Sequence, residues 1–209
     1  TTGQVLDSKQ IFDPVIISAL AADGSRVYSM DGGNQLDRDQ LLEIHPADVT
    51  TRHIGWTGSD WNVRSIEFHP RTGVLYAVCD QKLYTIDKDT GLATLIASLP
   101  VSYPEFLTAF AIGPDGIAYV TGYWVWRLNL QTGQMTKLGR LNSSQGTLLT
   151  GFFWDLAFSR TGELWGSFQG DWGYAYKSGL YEIDLATMTA VKKVAMQKPY
   201  DGLTFAPAP

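Results

Sequence analysis

At eight places an acid stands directly beside an aromatic, and five of these recur at intervals between strand-like runs: Phe12-Asp13, Asp60-Trp61, Glu105-Phe106, Trp154-Asp155 and Tyr200-Asp201. More of both kinds gather in two Gly-containing stretches. Residues 169–179 hold Asp171, Trp172, Tyr174 and Tyr176, and residues 30–40 hold Asp31, Asn34, Asp37 and Asp39. Tyr123 and Trp124 make a smaller group. Rings of this kind stack on the C–H face of a sugar while carboxylates and amides bind its hydroxyls. Carboxylates converging on one point would instead hold a divalent metal and serve hydrolysis. The same residues also have a plain structural use, in which acids bond loop N–H groups and aromatics wedge between packed sheets.

Which use applies depends on the elements that carry them. Residues 65–99 show the unit most clearly. Ser65-Ile66-Glu67-Phe68 alternates, and Pro70-Arg71-Thr72-Gly73 is turn chemistry. Val74-Leu75-Tyr76-Ala77-Val78-Cys79 is apolar throughout, as expected of a strand covered on both faces. Leu83-Tyr84-Thr85-Ile86-Asp87 alternates again, a second turn ends at Gly91, and one more strand follows. The signals recur. A Gly is followed by an aromatic in Gly24/Tyr28, Gly73/Tyr76, Gly116/Tyr119 and Gly162/Trp165. An apolar pair then comes as Leu42/Ile44, Tyr84/Ile86, Trp126/Leu128 and Tyr181/Ile183.

A self-similar unit of four strands every ~40–45 residues is the signature of a β-propeller blade. The expected fold is therefore all-β, a propeller of four-stranded antiparallel blades in one domain, 1–209. The blades run over 14–57, 63–99, 107–141 and 153–196. Segments 1–12 and 200–209 supply partial strands at both termini, for a ring of five positions. In such a fold Tyr28, Tyr76, Tyr119 and Trp165 occupy equivalent places. The acid–aromatic pairs fall in the links between blades, on one loop face around the channel. The site residues expected there are Asp60, Trp61, Glu105, Trp124, Trp154, Asp155, Asp171, Trp172, Tyr200 and Asp201. Trp126 and Trp165 align with Tyr84 and Tyr76 and are expected in the core.

The motifs Phe68-His69-Pro70-Arg71-Thr72-Gly73-Val74-Leu75-Tyr76-Ala77 and Leu83-Tyr84-Thr85-Ile86-Asp87-Lys88-Asp89-Thr90-Gly91 resemble the repeat of secreted or cell-surface bacterial β-propellers of the YVTN/NHL-like type. The other blades match more loosely. The resemblance implies a binding or scaffold module, secreted or displayed on the cell surface; a few related propellers are hydrolases or lyases.

Composition narrows the field. The net charge of −5, without a basic run, argues against nucleic acid. No apolar run approaches the ~20 residues of a membrane span. The single Cys79 lies mid-strand, and no disulfide framework exists. His45, His53 and His69 lack metal spacing, and no G-x-S-x-G elbow is present. Asp87-Lys88-Asp89 starts like a calcium loop, but its twelfth position is Ser98 rather than Glu, so an Asx turn is expected. No resident cofactor is expected, apart from a Ca²⁺ or other divalent cation that the acids of 31–39 would suit.

Three functions follow. The first is non-catalytic binding of a small polar ligand or glycan on the loop face. The second is a metal-dependent lactonase or hydrolase built on the junction carboxylates. The third is a protein–protein interaction module using the same face.

Overall fold

The computed structural model describes residues 17–24, 26–31, 39–58, 63–79, 81–102, 105–170, 177–196 and 203–205. Within them the chain builds four sheets, each a meander running from an inner to an outer strand. The first holds β1 (Ile17–Asp23), β2 (Arg26–Asp31), β3 (Gln40–His45) and β4 (Thr50–Trp56). The second holds β5 (Ser65–Phe68), β6 (Leu75–Cys79), β7 (Lys82–Ile86) and β8 (Ala93–Ser98). The third holds β9 (Ala109–Ile112), β10 (Ala118–Thr121), β11 (Val125–Leu128) and β12 (Met135–Gly139). After β13 (Asn142–Ser143), the fourth is built from β14 (Gly151–Phe158), β15 (Leu164–Gly170), β16 (Gly179–Asp184) and β17 (Thr189–Ala195). All pairs within each meander are antiparallel, and β13 adds a short parallel strand outside β17. This is a β-propeller of four blades with an extra edge strand on the last. That edge strand has no counterpart in the repeat pattern, because it comes from the link between blades three and four.

The aromatics after the first turn of each repeat do fall at one structural place. Tyr28 pairs with Ala21, Tyr76 with Glu67, Tyr119 with Ala111 and Trp165 with Ala157. Period-2 alternation then fixes which side chains face which neighbour. Leu75, Ala77, Tyr84 and Ile86 of blade two meet Tyr28, Met30 and Leu41 of blade one. The other face of blade two, with Val78 and Leu83, meets Phe110, Ile112 and Val120 of blade three. Ala109, Ala111 and Val125 of blade three meet Phe153, Leu156 and Phe168 of blade four. Blades that bury both faces must stack, and the core is accordingly three interblade layers. Outer strands stay open to water: Leu92 beside β8 is 59 % exposed and Leu95 within it 52 %.

In blades two, three and four the turns between the third and fourth strands share one device. Asp87 Oδ1 accepts the N–H groups of Asp89 and Thr90, Asn129 Oδ1 those of Gln131 and Thr132, and Asp184 Oδ1 those of Ala186 and Thr187. Each is an Asx turn. The Asx turn at Asp87 bears out that expectation, and a residue at positive φ closes each turn. Gly91 and Gly133 take φ of 80° and 71°, while Met188 stands at 53° in the repeat whose glycine is missing.

Inner strands pack in sequence, β1 against β5, β5 against β9 and β9 against β14. Residues 203–205 lie beside blade four. Leu203 N–H donates to Asp155 Oδ2, and the Phe205 ring sits 6.4 Å from that of Trp165.

Candidate functional site: the channel and the loop face

Alternation also decides what lines the channel between the inner strands. Aligning the ladders brings Ser65, Ala109 and Asp155 to one level, opposite Val78, Thr121 and Ser167. Two residues along each strand, Glu67, Ala111 and Ala157 form the next level. Small side chains in the neighbouring blades leave room for the polar ones.

Asp155 occupies the centre of this arrangement. It lies inside β14, directly after a bulge that leaves Trp154 without a ladder partner. The sequence reading placed it on a link between blades. The strand instead begins at Gly151, and Asp155 is 1 % exposed. Its Oδ1 accepts the Ser65 hydroxyl at 2.9 Å from blade two and the Leu156 N–H at 2.9 Å; its Oδ2 accepts Leu203 N–H at 2.8 Å. Ser65 Oγ also reaches the Phe110 carbonyl of blade three at 3.2 Å. One carboxylate thus ties blade two and the 203–205 segment to blade four.

Glu67 is the channel residue that the sequence reading missed. It is half-buried, and its Oε1 accepts the Phe68 N–H at 3.0 Å. Burial pushes its carboxyl well above the usual carboxylate range, and the Asp155 charge adds to the shift. A raised pKa in the folded state means that the folded chain binds the proton more tightly than the unfolded one. Stability is then fully present below the ordinary Glu range and falls as pH rises through the raised value. Glu67→Gln is expected to stabilise the chain at neutral pH and to flatten this fall, as read by chemical denaturation across pH. An unchanged pH profile would show Glu67 to be ordinary. The signal was there to be read: aligned inner strands set Glu67 alone against Ala111 and Ala157.

Glu105 and Trp124 meet at the end of blade three. Glu105 Oε1 accepts the Trp124 N–H at 3.3 Å, which holds the turn between β10 and β11 against the incoming link. Gly122 is required there, since a Cβ would stand 1.9 Å from the Phe106 carbonyl oxygen. Glu105 therefore does what the structural reading of the acids expected. One face of Trp124 is covered by the Lys137 ammonium, 3.5 Å from the ring centroid, with the Arg140 guanidinium at 5.7 Å.

The same end of blades three and four carries a strip of accessible aromatics. Tyr123 is 37 % and Phe106 49 % exposed. The Tyr123 ring lies 4.6 Å from that of Phe152. Phe152 pairs across the ladder with Gln169, whose Oε1 accepts the Trp154 indole N–H at 2.5 Å. The bulge turns Trp154 to this contact. Asp60, Trp61, Asp171, Trp172, Tyr200 and Asp201 lie outside the described residues, as do most of 31–39. Among the described residues no three His, Cys, Asp or Glu gather as a metal site, and no helix is long and apolar enough to cross a membrane.

No family model and no curated protein sequence matches the chain. Solved structures do resemble it. A gluconolactonase from Xanthomonas campestris aligns at 12% identity with a TM-score of 0.55, over 87% of this chain and 62% of that one. The hydrazine synthase of Kuenenia stuttgartiensis aligns at 14% and 0.51, over 90% and 51%. The extracellular domain of a hybrid two-component system from B. thetaiotaomicron aligns at 14% and 0.50, over 84% of this chain and 22% of that one. The chain spans about a fifth of that last protein's length. At these identities the likeness shows the propeller fold alone.

Proposed function

We propose that this propeller is a non-catalytic binding or scaffold module of the YVTN/NHL-like type, secreted or displayed at a cell surface. Its ligand is a glycan or similar polar molecule on the loop face. The observation that carries this reading is the strip of Tyr123, Phe152 and Trp154 at the end of blades three and four, with Phe106 beside it. Rings held in place by neighbours lose little freedom on binding, and an amide at Gln169 stands among them for hydroxyls. The extracellular neighbour agrees with the proposed location.

A glycan array followed by titration of the best hit tests the proposal. Trp154→Ala and Tyr123→Ala are each expected to weaken binding by about tenfold, the worth of roughly one ring stack. No saturable glycan binding, or binding untouched by both substitutions, would sink it. A second reading, hydrolysis, is supported by Glu67 beside Asp155 in the channel, since burial and the neighbouring charge push the Glu67 carboxyl upward, the direction that suits a general acid. Lactone turnover lost in Glu67→Gln would favour that reading instead.

A further inference from the structure

The other end of the blades holds a cleft that none of the foregoing uses. The turns of blades two and three enclose about 500 Å³ there, a volume within the usual range for small-ligand sites. Among its lining residues are His69, Arg71, Tyr76, Asn129, Gln131 and Gln134, and no Asp or Glu is among them. In a chain of net charge −5 an acid-free lining with two arginines, Arg71 and Arg127, runs against the composition.

The polar groups here are left as donors. His69 Nδ1 accepts the N–H groups of Arg71 at 3.2 Å and Thr72 at 3.4 Å, so the neutral ring carries its proton on Nε2. Nε2 and Arg71 Nη2 converge over the bare backbone of Gly116. A Cβ there would stand 3.0 Å from the first and 2.6 Å from the second. No salt bridge among the described residues engages Arg71. Asn129 spends its Oδ1 on Gln131 and Thr132 N–H groups, which leaves its NH₂. Blades two and four build the equivalent turn with Asp87 and Asp184. Blade three, at the cleft, uses the uncharged residue.

We propose that this cleft binds a small hydroxylated anion, a sugar bearing a carboxylate or a phosphate. Arg71 takes the anionic group, His69 Nε2 and Asn129 Nδ2 donate beside it, and Gln131 and Gln134 serve the hydroxyls. The site is independent of the aromatic strip at the opposite end.

Calorimetric titration of the full chain at low salt with glucuronate, glucose 6-phosphate and glucose tests it. At least one anion is expected to bind about tenfold or more tightly than glucose, and the preferred one identifies the group recognised. Arg71→Gln should weaken that binding about tenfold or more, the worth of one charge-assisted hydrogen bond. Trp154→Ala should leave it unchanged. Asn129→Asp keeps the Asx turn, as Asp87 and Asp184 show, yet replaces a donor by a negative charge, and should abolish binding without loss of folding. Equal affinity for glucose and both anions overturns the proposal. So does anion binding that survives Arg71→Gln or Asn129→Asp.

Discussion

Replacing Asp155 by alanine is expected to destabilise the chain by about 3–4 kcal/mol, more than one hydrogen bond to a charged group usually contributes. The carboxylate is wholly buried and accepts from Ser65 Oγ, Leu156 N–H and Leu203 N–H. Truncation leaves the N–H donors of Leu156 and Leu203 without this acceptor and loosens the 203–205 segment. Ser65 can turn its one hydroxyl proton to the Phe110 carbonyl, 3.2 Å away, which limits the loss. Asp155→Asn keeps one acceptor oxygen and removes the charge. It should cost less and also lower the Glu67 pKa, because the Asp155 charge is one of the two causes that raise it. Denaturant titration of both variants, with a carboxyl titration of Glu67 by NMR, reads these effects. A loss below about 1 kcal/mol for the alanine variant, the range of an ordinary surface change, would mean that Asp155 is tolerated in the channel rather than holding it.

The second large effect belongs to Trp165. It is 4 % exposed, pairs with Ala157 and Glu182, and meets the Phe205 ring. Trp165→Ala should cost about 3–5 kcal/mol, as for large aromatics removed from a core. Trp154→Ala is the matched comparison. Its ring is only half-buried at the bulge, with one side-chain bond to Gln169, so its loss should stay within about 1 kcal/mol. Thermal melts of the two variants give the answer. Equal losses would make the aromatic strip a packing plug and remove the main support for binding on the loop face.

Local chemistry explains why so much of the architecture is legible in the chain. Alternation, apolar second strands and Asx or Gly turns act over a few residues, so each repeat announces its own strands. Tyr28, Tyr76, Tyr119 and Trp165 could be aligned from the preceding glycines alone, and they share one ladder position in the structure. Glu105 shows how far that local reading extends. Its expected use as a cap on loop N–H groups is realised at Trp124. Trp124 shows where it stops, because the cation covering its ring comes from the next strand, at Lys137.

The sequence by itself determined the repeat, the order of strands within a blade and the apolar positions that stack blades together, since these depend on residues close along the chain. Only the tertiary structure decided which polar groups meet. Ser65 and Asp155 lie 90 residues apart, and they bond because curvature around the channel brings blades two and four across from each other. A bulge at Trp154 turns Asp155 inward and the indole outward, and a bulge is a one-residue irregularity that no repeat pattern encodes. The cleft between blades two and three likewise joins two turns, each of which reads by itself as nothing more than a turn. The spacing of residues along one strand is set by its own backbone, whereas a meeting between blades is set by how the whole ring stacks.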